Sequence, residues 1–131
     1  MAAPNILGLT TATGKTTYFT PSGTSAVVLL TNAASSGKVL KINQIVAANV
    51  NGSAAVNATV SVYTNGAVAQ GSAPSGGTAY PIASAISVPT NASLIVADKT
   101  TQIYLEENTC ISVTSGTASG ITYTVSYEEL S

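Results

Sequence analysis

Apolar residues alternate with polar residues in several short segments of this chain. The alternation is clearest over residues 110–131 (CISVTSGTASGITYTVSYEELS), on both sides of a run of small residues at 115–120. A period of two is typical of a strand that has one buried face and one solvated face. We therefore expect a β-hairpin here, with two strands joined by a loose loop. Residues 56–63 show the same alternation.

Other segments are also typical of strands, although their alternation is weaker. Residues 25–31 (SAVVLLT) are almost continuously apolar, which favours a strand buried on both faces or at an interface. Residues 38–50 could form a helix, but their Val and Ile content and the Asn51–Gly52 turn favour a strand with a bulge or bend. Further short strands are expected at 16–20, 80–86, 93–97 and 102–105.

These segments amount to roughly eight strands at intervals of about ten to fifteen residues, with no credible helix. This spacing predicts an all-β fold, an antiparallel β-sandwich of the jelly-roll or immunoglobulin-like type. The 131 residues suit one domain. We expect an extended N-terminal arm over residues 1–15 and a single β-sandwich domain over 16–131, with a surface loop at 70–78 (QGSAPSGGT).

Charged residues make up only 7% of the chain, and the formal net charge is −1. Low charge combined with high β-propensity favours association, so we expect a homo-oligomer, trimer or higher. The arm is expected either to lie on a neighbouring subunit or to form a disordered tail. The large apolar residues of the arm and first strand form the candidate subunit interface, namely Ile6, Leu7, Leu9, Tyr18 and Phe19.

The composition argues against several classes of function. The chain has four lysines and no arginine, too little positive charge for nucleic-acid binding. The N-terminus lacks the basic and apolar regions of a signal peptide, so we expect synthesis in the cytoplasm. No apolar run approaches the ~18 residues of a membrane span. Residues 8–16 (GLTTATGKT) resemble a phosphate-binding loop, but the spacing between the glycines is one residue too long.

The residue inventory does not favour an enzyme, a cofactor or a metal site. There is no histidine, and Cys110 is expected to be a small buried apolar residue. Four of the five acids form sequence-adjacent pairs, which would point to opposite faces of a strand rather than across a sugar. They are therefore expected to be solvating charges at strand ends, although a weak cation site formed by Asp98 and one glutamate stays open.

The aromatic residues leave a second class of function open. Six tyrosines could stack on sugar rings, and tyrosines exposed in a row would favour a glycan-binding adhesin module. Most of them lie inside predicted strands among apolar neighbours, which favours core edges or subunit contacts instead.

Several segments resemble small virion structural proteins of tailed bacteriophages, particularly those that infect cyanobacteria. The similarity lies in residues 87–99 (SVPTNASLIVADK), 103–108 (IYLEEN) and 125–131 (VSYEELS), preceded by 28–31 and 38–50. It spans most of residues 25–131. It implies a non-enzymatic, multi-copy β-sandwich in the virion, a capsid decoration or cement protein or a neck or tail protein. The implied partners are other virion proteins, including the major capsid protein.

Overall fold

The computed structural model describes residues 5–65 and 67–131. Within them, nine strands form two antiparallel sheets, which confirms the predicted β-sandwich. The strands are β1 (Ala12–Phe19), β2 (Val27–Asn32), β3 (Val39–Asn49), β4 (Val56–Thr64), β5 (Thr78–Val88), β6 (Ser93–Ala97), β7 (Ile103–Leu105), β8 (Thr109–Ser115) and β9 (Ile121–Leu130).

The strand order identifies the sandwich as a jelly roll. The first sheet has the order β1-β9-β3-β6, with β7 also on β3, and the second has the order β2-β8-β4-β5. Strands of the first half of the chain therefore pair with strands of the second half in reverse order. This is one long antiparallel ribbon, closed at the β4–β5 connection and rolled into two sheets, the jelly-roll alternative among the two expected topologies.

The core lies between the inward faces of the two sheets. Ile45 and Tyr123 of the first sheet and Val60 and Ile111 of the second are fully buried in it. The Tyr123 hydroxyl donates a hydrogen bond to the backbone carbonyl of Thr114, on a strand of the opposite sheet. The largest fully buried side chain thus carries its polar atom across the core to a partner, as a buried phenol requires.

The predicted hairpin over residues 110–131 is wrong, although both of its strands are present. β8 belongs to the second sheet and β9 to the first, so the two strands do not pair. Each instead pairs with strands distant in sequence, β8 with β2 and β4, and β9 with β1 and β3. The alternation arises because the two strands bury facing sides against the same core. The loop between them crosses from one sheet to the other.

The first strand begins at Ala12, within the segment expected to be an arm. Residues 12–15 pair with the end of β9, and the amides of Thr10 and Thr11 donate to the carbonyl of Ser131, each at 2.9 Å. Before them lies a 3₁₀ helix, Ile6–Gly8. Residues 1–4 of the predicted arm lie outside the described residues. The first strand and the two residues before it are therefore joined to the end of the chain.

The bulge expected in residues 38–50 is confirmed. The register between β3 and β9 shifts between Ile42 and Gln44, and a second shift against β6 follows Ile45. β2 also shifts register, between Val28 and Leu30. A bulge turns successive side chains toward the same side, so the shift in β2 fits the burial of Leu29 and Leu30 together in the core.

Candidate interaction surfaces

The residues of the predicted interface do not form one patch. Leu7 is 95% exposed and Ile6 is also exposed, whereas Leu9 is half-buried. Tyr18 is 70% exposed, but Phe19 packs against the core of its own chain. Residues 6–9 precede the end of β1 that joins the C-terminus, and Tyr18 lies near the other end, about 20 Å along the strand.

Strand β5 carries exposed apolar side chains that were not predicted from the sequence. It is an edge strand of eleven residues, and all but two of them are exposed. Its exposed large side chains include Tyr80, at 59%, together with Ile82 and Ile86. Edge position alone does not explain this, because one face of a sandwich strand normally lies on the core.

The register of β5 explains why its inward face is open. Ile86 pairs with buried Ala58, and Tyr80 pairs with half-buried Val62, so both side chains lie on the inward side of the sheet. The opposite sheet ends there in two short strands, β6 of five residues and β7 of three, against the eleven residues of β5. The longer strand therefore overhangs, and its apolar side chains reach solvent at the margin of the core.

The backbone of β5 is poorly suited to pair with another strand. Pro81 has no amide hydrogen, the register against β4 shifts twice, and Ala85 has a left-handed φ of 49°. The Ala85 amide donates to the Thr59 hydroxyl at 2.9 Å. Proline and bulges are the devices by which natural edge strands resist strand addition. A partner on β5 would therefore contact side chains rather than extend the sheet.

One sequence signal could have indicated this surface. No Asp, Glu, Lys or Arg occurs from Ile42 to Ala97, a stretch that contains β4, β5 and β6. All nine charged residues lie outside this stretch. The side chains of β4, β5 and β6 are therefore all neutral.

The acids at the C-terminus form ion pairs that join three strands. Glu129 accepts hydrogen bonds from Lys15 at 3.0 Å and from Lys38 at 2.6 Å. These bonds, first from Lys38 and then from Lys15, lower the pKa of the Glu129 carboxyl. Glu128 lies 3.7 Å from Lys41. The adjacent glutamates thus contact different lysines and tie the N-terminal strand to the C-terminal one.

The other candidate groups are placed as follows. Cys110 is fully buried, as expected, and desolvation raises the pKa of its thiol to about 11.

Both carboxylate oxygens of Glu107 are buried without a hydrogen bond among the described residues. Within those residues, no group of three or more Cys, Asp or Glu side chains is arranged to hold a metal ion. The exposed tyrosines Tyr18, Tyr80 and Tyr104 belong to three different strands and do not form a row.

A polar groove lies on the outward face of the first sheet. β6 and β7 pair with the same edge of β3, β6 from Ile45 onward and β7 up to Ile42. Residues 43 and 44 therefore have no partner strand on that edge. Residues 98–102 arch around this gap and include a 3₁₀ turn, Lys99–Thr101. The result is a depression of about 500 Å³, lined by Asn43, Gln44, Asp98, Lys99, Thr100 and Ser126.

No helix in the described part of the chain is long and apolar enough to cross a membrane. No protein-family model, no curated protein and no solved structure matches the chain.

Proposed function

We propose that this chain is a non-enzymatic structural protein of a tailed-bacteriophage particle, present in many copies, and that it decorates and stabilises the capsid. The observation that carries the proposal is β5, a neutral edge strand with exposed apolar side chains on its inward face. A protein that binds only the assembled shell stabilises that shell by linkage. Many weak contacts of this kind add through multivalency.

The jelly-roll fold is compatible with this role, but proteins with other functions share the fold. Jelly rolls occur in viral capsid domains, and also in lectin domains and cupins. The resemblance of residues 25–131 to phage virion proteins favours the first of these, and it includes neck and tail proteins as well. A location at the neck or tail is therefore the alternative within the same class.

In the proposed assembly, β5 of one copy contacts the exposed apolar side chains Ile6 and Leu7 of the next. Two different surfaces meet, so the contact is head-to-tail. A rotation between copies that closes would give a ring, which is the form proposed for the trimer or larger oligomer. No residue from Ile42 to Ala97 is charged, so covering β5 desolvates no ionised side chain of that strand or of β4.

Light scattering of the purified protein tests this contact. Tyr80→Glu places a charge on β5, and Tyr104→Glu is the matched control, because it replaces an exposed tyrosine of a strand in the other sheet. We expect an oligomer for the wild type and for Tyr104→Glu, and a smaller species for Tyr80→Glu. Equal masses for the two variants would argue against β5 as the contact.

A truncation tests the other half of the contact. Removal of residues 1–9 deletes Ile6 and Leu7 but leaves β1 and its hydrogen bonds to Ser131 in place. Deletion to residue 15 would also remove half of β1 and would confuse association with folding. We expect the shorter truncation to weaken the oligomer while the far-ultraviolet circular dichroism is unchanged. An undiminished oligomer would exclude the N-terminal residues from the contact.

A further inference from the structure

We propose that the polar groove at the β3 bulge is a binding site for the hydroxyl groups of a neutral saccharide. The groove is formed by Asn43, Gln44, Asp98, Lys99, Thr100 and Ser126, and it is distinct from β5, which lies in the other sheet. Its volume of about 500 Å³ is in the range of small-ligand sites.

Asp98 supplies a fixed acceptor in the groove. Its Oδ1 accepts hydrogen bonds from the amide of Thr100, at 2.9 Å, and from the Thr100 hydroxyl. These bonds lower the pKa of the carboxyl, so it is ionised at neutral pH. The Asp98 side chain also caps the backbone of Thr101, the third residue of the 3₁₀ turn. The 3₁₀ turn therefore fixes the carboxylate, and the two oxygens together have about four acceptor positions, more than the turn uses, so the group can also accept a hydrogen bond from a ligand.

The other lining groups add donors and acceptors of both kinds. The side-chain amides of Asn43 and Gln44 make no hydrogen bond within the described residues, and Lys99 makes no ion pair there. An amide offers a donor and an acceptor, an ammonium offers donors only, and a carboxylate offers acceptors only. A ligand that satisfies this mixture must itself both donate and accept over short distances, as adjacent hydroxyl groups do.

Charged ligands fit the same groups less well. A divalent cation takes an all-oxygen shell, and the Lys99 ammonium beside Asp98 would oppose it. A phosphate would gain from Lys99 but would meet the Asp98 carboxylate. A neutral polyol is repelled neither by the Lys99 ammonium nor by the Asp98 carboxylate.

An exposed aromatic ring lies near the groove, although it is not part of the lining. Glu128 lies two residues beyond Ser126 in β9, so the two side chains share the outward face. Glu128 pairs with Lys41, and Lys41 pairs with Tyr104, which is 44% exposed. Cross-strand neighbours lie on the same face, so Tyr104 stands one row from the groove. Its ring offers an apolar surface for the C–H face of a sugar.

Nuclear magnetic resonance titration tests the site with three probes, the methyl α-pyranosides of glucose, galactose and mannose, which differ in the orientation of single hydroxyls. An open groove of this kind binds with a Kd in the millimolar range, so each probe is taken to about 50 mM. We expect at least one probe to shift backbone amide signals of residues 43–44, 98–100 and 126, with no comparable shifts along β5. No shift with any probe would overturn the proposal.

Two matched variants make the assignment specific. Asp98→Asn keeps Oδ1 as the acceptor for Thr100 but neutralises the group, and Glu106→Gln makes the same chemical change at an exposed acid outside the groove. We expect Asp98→Asn to weaken binding at least threefold and Glu106→Gln to leave it unchanged, with both spectra otherwise native. Shifts that persist equally in Asp98→Asn would place the sugar elsewhere and overturn the proposal. Neither result depends on association through β5.

Discussion

The hydrogen bond between Tyr123 and Thr114 should contribute measurably to stability, because it is made in the core between the two sheets. The Tyr123 side chain is fully buried, and its hydroxyl donates to the Thr114 carbonyl and lies 3.5 Å from the Thr59 carbonyl. Tyr123→Phe removes the donor and leaves a buried acceptor short of a partner. A neutral hydrogen bond contributes about 1 kcal/mol, and an unsatisfied buried group costs about 1–3 kcal/mol, so we expect a loss of about 1.5 kcal/mol.

For a chain of this length, that loss lowers the midpoint of thermal unfolding by about 5 °C. The measurement is thermal and urea unfolding followed by circular dichroism, at one protein concentration because association shifts the midpoint. Tyr104→Phe is the control, since its side chain is exposed and its loss should cost less than about 0.5 kcal/mol. Equal effects of the two substitutions would refute a structural role for the buried hydroxyl.

Three further predictions concern charge, backbone and alkaline pH. The pKa of Glu129 is lowered from 4.5, so its stabilising contribution is present above pH 4.5 and is lost as pH falls through the folded-state value. Glu129→Gln should therefore lower the free energy of unfolding at pH 7 but not in strong acid; a difference independent of pH would contradict this. In Gly77→Ala the new Cβ would lie 1.4 Å from a backbone oxygen, so we expect the free energy of unfolding in urea to fall by about 3 kcal/mol. Gly52→Ala is the control and should change it very little, because a Cβ at Gly52 would meet no atom within 4 Å. Burial raises the pKa of Cys110 from 9.0 to about 11 and that of Tyr123 from 10.0 to about 12. The stabilising contribution of these two neutral groups should therefore be fully present below pH 9 and fall as pH rises above 9. A urea midpoint that stays constant over this range would argue against burial of both groups.

The periodicity of the sequence was sufficient to locate strands but not to pair them. Residues 111–114 and 121–127 alternate clearly, and both lie in strands, yet these strands face each other across the core. A side chain alternates in the same way whether its strand pairs with the next strand or packs against it. The partner of β9 is instead set by β1 and β3, which lie far away in sequence.

The sites were harder to predict than the strands. Phe19 was predicted to belong to the N-terminal interface, but it packs against the core of its own chain. The sequence near a chain end does not show whether a bulky side chain packs inward or stays exposed. The polar groove depends on a register shift at Asn43 and on the arch of residues 98–102, which bring together groups from three separate segments. The alternation and composition of short sequence segments do not show which distant segments come together in the fold. By contrast, Cys110 was placed correctly because a lone thiol among apolar residues favours burial.

Our main proposal is that this chain is a multi-copy component of a phage capsid and that its copies meet through β5. The most direct measurement is cryo-electron microscopy of particles purified from the phage that encodes it. We expect the jelly roll on the capsid surface in many symmetry-related copies, with Tyr80 and Ile86 of each copy covered by a neighbour. Absence of the protein from the capsid, or copies whose β5 faces open solvent, would contradict it.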